Sequence, residues 1–247
     1  VTYLEFLLLF VVLPMAALIA WGAVQSRCPL SEAISLKRHW MAVLILAVIA
    51  FTWTTPWDNY LIAVGVWSSP ADRIIGTVGY VPLEEYAFFL LMPVIIGAVL
   101  YLVLQKIHLH GTLCRQPQKR ARWVVCLCAL ICFISGVILL LTQPNSYLAL
   151  TVLWFTPPLF IQFVFDPLGI LRNRSIIALA TLLPTLYLWA ADSFAIASGI
   201  WSFDSTILIG VKIGNLPIEE ALFFFITSLL VAQGITLYHS LFVAKPE

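Results

Sequence analysis

Seven stretches of this 247-residue chain stay apolar for about twenty residues each, and that repetition decides what it can become. They run roughly 3–24, 39–57, 82–104, 122–141, 146–165, 175–192 and 217–238. A helix needs ~20 residues to cross ~30 Å of hydrocarbon, where each backbone N–H and C=O must be paired within the segment itself. Composition agrees: 62% of residues are hydrophobic and 10% charged, whereas about a quarter are charged in a soluble domain. The expected fold is all-α and integral to a membrane, with about seven transmembrane helices. Segments two and six are expected to continue past the hydrocarbon, because "NYLIAVGVW" and "SFAIASGIW" remain apolar. The run from Tyr3 to Trp21 lacks a basic leader and a small-residue cleavage site, and reads as a retained anchor.

Charge placement sets an expected orientation. With the N-terminus outside and the C-terminus cytoplasmic, the inner side holds Arg27, Lys37, Arg38, Lys106, Arg115, Lys119, Arg120, Arg122, Arg172, Arg174 and Lys245. The outer side then holds only Arg73 and Lys212, as the positive-inside rule asks of a cell-membrane protein. Cys28, Cys114, Cys126, Cys128 and Cys132 fall in inner loops or segment four, so no disulfide framework is expected. No basic tract with interleaved aromatics exists, and nucleic acid is not an expected partner.

The chain is also written twice. At an offset of 134, Arg38 meets Arg172, Asp58 meets Asp192, Gly65 meets Gly199, Trp67 meets Trp201 and Gly76 meets Gly210. After one inserted residue, Pro82-Leu-Glu84-Glu85 lies on Pro217-Ile-Glu219-Glu220, and Phe88-Phe89 lies on Phe223-Phe224. The expected organisation is a parallel 3+1+3 repeat: a three-helix unit at 1–107, a linking loop and helix at 108–143, and a second unit at 144–247. The stretches "RIIGTVGYVP" and "TILIGVKIGNLP" each suggest a short hairpin or lid.

Eight of the twelve Asp and Glu residues gather between segments two and three or at the matching place in the second copy: Asp58, Asp72, Glu84, Glu85, Asp192, Asp204, Glu219 and Glu220. Proline at the first helical position followed by acids in the first turn also suits an ordinary helix start, with Glu84 and Glu219 capping their own helices. Glu85 and Glu220 fit that account less well. Each shares a helical face with Phe residues three and four positions on, and ionisable groups at such depth point into the bundle. Carboxyls in both protonation states, lined by Phe88, Phe89, Trp67, Phe223, Phe224 and Trp201, suit acid–base work on a cationic intermediate of an apolar substrate.

The duplicated Pro-x-Glu-Glu with following Phe-Phe, and the Asp and Gly-x-Trp upstream, resembles the small integral-membrane lycopene cyclases in their fused two-repeat form. The resemblance covers 1–107 and 144–247 and implies redox-neutral cyclisation of the linear ends of lycopene, or a related linear carotenoid, within the lipid bilayer. Of the β, ε and γ ring types, the expected one is β, giving γ- and/or β-carotene. No cofactor is implied, and the chain has no Gly-x-Gly-x-x-Gly. The expected catalytic set is Glu85 and Glu220 as acids, with Glu84, Glu219, Asp58 and Asp192 tuning or receiving protons; the roles within each pair are interchangeable at this level.

Rival readings are a small-solute transporter of 3+1+3 plan and a cyclase for a longer C50 carotenoid. The transporter fits less well because the acids sit at one face and not at the midplane. A retinal protein needs a lysine in the last helix, and 217–238 has none. No metal site is expected, since His39, His108, His110 and His239 lie across the membrane from the acids.

Overall fold

The computed structural model describes residues 1–25, 35–110, 118–144 and 146–242. Arg27, Cys28, Cys114, Arg115 and Lys245, used above for orientation and thiol placement, lie outside the described residues. Seven helices are long and apolar enough to cross a membrane: α1 Tyr3–Gln25, α2 Leu36–Ala63, α3 Leu83–Leu104, α4 Lys119–Thr142, α5 Tyr147–Phe165, α6 Arg174–Ala197 and α7 Ile218–Ser240. The protein is an all-α, multi-pass membrane protein. As expected, α2 and α6 outrun their apolar segments. At 28 residues α2 spans ~42 Å.

The helices differ in what surrounds them. In α3, 72% of the apolar window is buried, and α6 and α7 follow at 50% and 56%, so these three form the centre. In α4 only 6% is buried; it packs on α5 and leaves Trp123, Leu127 and Leu141 exposed. Such a helix is stable only where hydrocarbon replaces protein as its solvent. At the basic end, His39 of α2 and His239 of α7 stack in the core with Nδ1 and Nε2 3.1 Å apart, and His39 Nε2 bonds the carbonyl of Gly97 at 3.0 Å. A Cβ on Gly97 would meet Val43 Cγ2 at 2.5 Å, so this glycine sets the approach of α2 to α3.

The opposite end is closed by short strands. Thr77–Val78 (β2) pairs antiparallel with Val81–Pro82 (β3), and Lys212–Ile213 (β5) pairs with Leu216–Pro217 (β6). Gly79 and Gly214 turn these hairpins at φ +64°, in the left-handed region that glycine enters without strain. Trp67–Ser68 (β1) pairs with Ser202–Phe203 (β4), joining the two halves of the chain, and the amide of Asp204 donates to the Val66 carbonyl at 3.1 Å. Arg73 adds a second tie by donating to the Ser198 carbonyl at 2.7 Å. Asp204 accepts from both the backbone and hydroxyl of Thr206, which holds its carboxyl below the usual range.

Helix α1 carries a local defect with consequences for packing. A π turn occupies Leu8–Val12, and Pro14 follows it. Proline has no amide hydrogen to offer the carbonyl four residues back. That carbonyl belongs to Phe10, and the Tyr187 hydroxyl of α6 donates to it at 2.8 Å.

Candidate active site

A chamber lies beneath the strands, walled by residues of both halves. Four of its lining residues are acids: Asp58 of α2, Glu85 of α3, Asp192 of α6 and Glu220 of α7. Asp58 and Asp192 sit near the far ends of their helices, and Glu85 and Glu220 in the first turns of theirs. Two helices ending at the level where two others begin is what brings the four together.

Each aspartate is held the same way. The Trp67 indole N–H donates to Asp58 Oδ1 at 2.9 Å, and the Trp201 indole N–H donates to Asp192 Oδ1 at 2.9 Å. The second oxygen of each aspartate is buried with no hydrogen-bond partner among the described residues. Each of the two glutamates takes a tyrosine hydroxyl. Tyr3 donates to Glu85, and Tyr147 donates to Glu220 Oε2 at 2.5 Å. Glu220 is buried, while Glu85 is half-buried and is the most open of the four.

The preceding glutamates do something else. Pro82 and Pro217 are the N-caps, so Glu84 and Glu219 stand second in their helices and not third. Neither caps its own helix in the way the sequence suggested. Glu84 Oε1 accepts from the Ile75 amide at 2.8 Å, and Glu219 Oε1 accepts from the Ile209 amide at 2.6 Å. These carboxylates pin the loop that leads into each hairpin. Both are buried, and neither lines the chamber.

Among the aromatic candidates, Trp67, Trp201, Phe88, Phe223 and Phe224 line the chamber, and Phe89 does not. Phe89 is buried and meets Tyr86 edge-on, 6.1 Å between centroids. Asp72 and Asp204 lie in the covering loops, outside the chamber lining. Among the described residues, no group of three or more His, Cys, Asp or Glu side chains is placed to hold a metal ion.

Sequence reasoning missed Tyr3, Tyr147 and Trp57. The tyrosines had a signal: each opens its helix, and each is followed eleven residues later by proline, Pro14 or Pro158. Extending the internal comparison to α1 and α5 at an offset of 144 aligns them. Trp57 had none, because its counterpart at offset 134 is Ala191. The chamber is therefore lopsided. Trp57 stacks on Phe223 at 5.6 Å, whereas the equivalent wall position carries only the methyl group of Ala191.

Four carboxyls in a small apolar space repel one another as carboxylates, and sharing protons relieves that repulsion. The set therefore supplies proton donors and acceptors side by side, between aromatic faces able to stabilise a positive centre.

The comparisons agree with this chemistry. The family model described as lycopene cyclase matches residues 2–104 and 144–239, the two stretches that furnish the chamber. Halobacterium salinarum has a lycopene beta-cyclase 37% identical over 194 residues, covering 78% of this chain and 80% of that protein. Bifunctional lycopene cyclase/phytoene synthases are also similar. That of Sporisorium reilianum is 33% identical over 78% of this chain and 29% of its own length, and that of Colletotrichum graminicola is 35% identical over 79% and 35%. The chain spans about a third of those fungal proteins. No solved structure matches. With both matched stretches meeting around one acid chamber, the chain belongs to the lycopene cyclase family.

Proposed function

We propose that this chain cyclises the linear ends of lycopene to β-ionone rings, and that Glu85, Glu220, Asp58 and Asp192 carry the protons. The observation that carries the reading is the chamber itself: four carboxyls from both halves, each with one hydrogen-bonded oxygen, inside an aromatic box. The reaction needs such a box. A carboxylic acid protonates the terminal double bond and leaves a tertiary cation. The π electrons of the neighbouring double bond close a six-membered ring and move the charge into it. A carboxylate then removes an adjacent proton, forming the ring double bond. One proton enters and one leaves, so composition and oxidation state are unchanged.

The roles divide by environment. Glu85 and Glu220 act as acids, each oriented by its tyrosine. Asp58 and Asp192, fixed by indole N–H groups that stabilise a carboxylate, receive protons. Trp67, Trp201, Phe88, Phe223 and Phe224 shield the cation from water, which would otherwise trap it as an alcohol. Glu84 and Glu219 hold the covering loops in place. Residues 1–107 and 144–247 act as two equivalent units that together form one site. The acidic end faces outward and the Lys- and Arg-rich end faces the cytoplasm.

The test is pigment analysis of lycopene-accumulating cells expressing the chain. The expected result is monocyclic γ-carotene or bicyclic β-carotene, each of the same mass as lycopene. Unaltered lycopene, with the protein verified in the membrane, overturns the reading.

A further inference from the structure

Beyond the chamber, a second and larger depression runs down the lipid-facing side of the bundle between α1, α3 and α6. Pro14, Ala17, Trp21, Val99, Leu183 and Tyr187 are among its walls. We propose that this groove is the tail track of the substrate: it holds the unreacted polyene while one end group sits among the acids. The inference rests on the cyclase reading and adds where the rest of the molecule lies.

Three observations support it. The first is adjacency along the same helices. The same three helices wall both spaces, with Phe6 and Val11, Phe88, and Leu188 and Ala191 in the chamber giving way to the groove residues along each helix. From Phe6 to Trp21 is fifteen residues of α1, a run of ~22 Å. Ala191, which stands where the other half has Trp57, belongs to α6, the helix that also walls the groove.

The second is chemistry. The chamber holds four carboxyls, whereas among the described residues the groove walls carry no acid, and Lys106 and Gln25 stand together at the far end. The Tyr187 hydroxyl is already engaged with the Phe10 carbonyl, which Pro14 leaves without an amide donor. An apolar chain thus meets apolar walls along the whole track.

The third is an asymmetry between the two halves. The equivalent seam lies between α5, α7 and α2, and it is filled. At the counterpart of Leu18 stands Gln162, whose amide donates to the Leu230 carbonyl at 3.0 Å. Gln162 and Leu46 both crowd Gly234, the counterpart of Val99. Trp53 and Trp154, counterparts of Tyr187 and Phe10, pack two indole rings with centroids 4.9 Å apart at the level where the open seam is bridged by the Tyr187–Phe10 hydrogen bond. Of these two equivalent seams among the described residues, the one between α1, α3 and α6 is therefore the open one. The two ends of a linear carotenoid must be cyclised in separate visits, with the molecule reversed between them.

The experiment compares Ala17→Trp and Leu183→Trp with Ile161→Trp, which sits at the position equivalent to Ala17 on the closed seam. Ala17, Leu183 and Ile161 face outward, so each tryptophan replaces lipid contacts and leaves the core untouched. Lycopene binding to the protein in lipid nanodiscs is read by tryptophan quenching, and turnover by chromatography. Ala17→Trp and Leu183→Trp should weaken lycopene binding and raise KM about tenfold, with Ile161→Trp like the parent protein. A truncated substrate bearing the same end group on a short tail should be turned over equally by all four. Binding and KM unchanged in both groove variants would overturn the proposal and leave the groove to lipid acyl chains. Failure of the cyclase reading is separate: it appears as lycopene that binds the parent protein and is never cyclised.

Discussion

Glu219 and Glu220 are adjacent in sequence, yet one residue turns a helix by about 100° and divides their tasks. Glu219 faces the loop and accepts from the Ile209 amide, while Glu220 faces the chamber and accepts from Tyr147. The same division separates Glu84 from Glu85. It predicts opposite outcomes for identical substitutions. Glu85→Gln or Glu220→Gln removes a proton donor while keeping shape, and should lower the initial rate of ring formation in membrane vesicles ~10²–10⁴-fold, the usual worth of a general acid. Glu84→Gln or Glu219→Gln keeps an oxygen for the loop amide. Those variants should retain near-parental rates and lose about 1 kcal/mol of stability from a weakened charged hydrogen bond. Equal loss of rate in all four would mean that the division is wrong.

At the scale of the elements, the sequence was most legible where one element answers to one local signal. Seven apolar runs became seven long helices, and the glycines of both punctuated stretches became the turns of hairpins. What escaped depended on contacts between distant segments. Tyr3 and Tyr147 reach their glutamates across 82 and 73 positions, and β1 pairs with β4 across more than 130. The inward direction of Glu220 was legible from its Phe neighbours, but the task of Glu219 depended on helix register: with Pro217 as N-cap and not first helical residue, Glu219 turns toward the loop. His39 and His239 also met unannounced, 200 positions apart, beside Gly97. That junction carries a prediction for helix packing. Gly97→Ala places a methyl at 2.5 Å from Val43 Cγ2, on a stiff β-branched side chain that cannot swing away freely. Overpacking of this kind costs ~1–3 kcal/mol. The variant should unfold at lower temperature in detergent, and Gly97→Ala with Val43→Ala should recover most of the loss. A single variant as stable as the parent would show that α2 and α3 separate easily.

For the molecule as a whole, the decisive fact is that neither half walls the chamber alone. Residues before His110 bring Asp58, Glu85, Tyr3 and Trp67; residues after Gln118 bring Asp192, Glu220, Tyr147 and Trp201. The halves also meet through the β1–β4 pairing, the bond from Arg73 to Ser198, and the faces of α3 and α7, where Phe88 meets Phe224 edge-on at 6.1 Å. Those contacts are apolar or backbone-mediated, so the covalent link should contribute little beyond raising the local concentration of one half around the other. Two polypeptides, 1–110 and 118–247, expressed together in lycopene-accumulating cells should therefore cyclise lycopene, whereas each alone should leave it unchanged. Supplying Glu85→Gln on the first piece or Glu220→Gln on the second should depress the reassembled activity as it does in the intact chain. Cyclisation by a single piece would require two of either half to build a chamber together. Ala191 opposite Trp57 argues against that: a pair of first halves would crowd the chamber with two tryptophans, and a pair of second halves would leave both sides open.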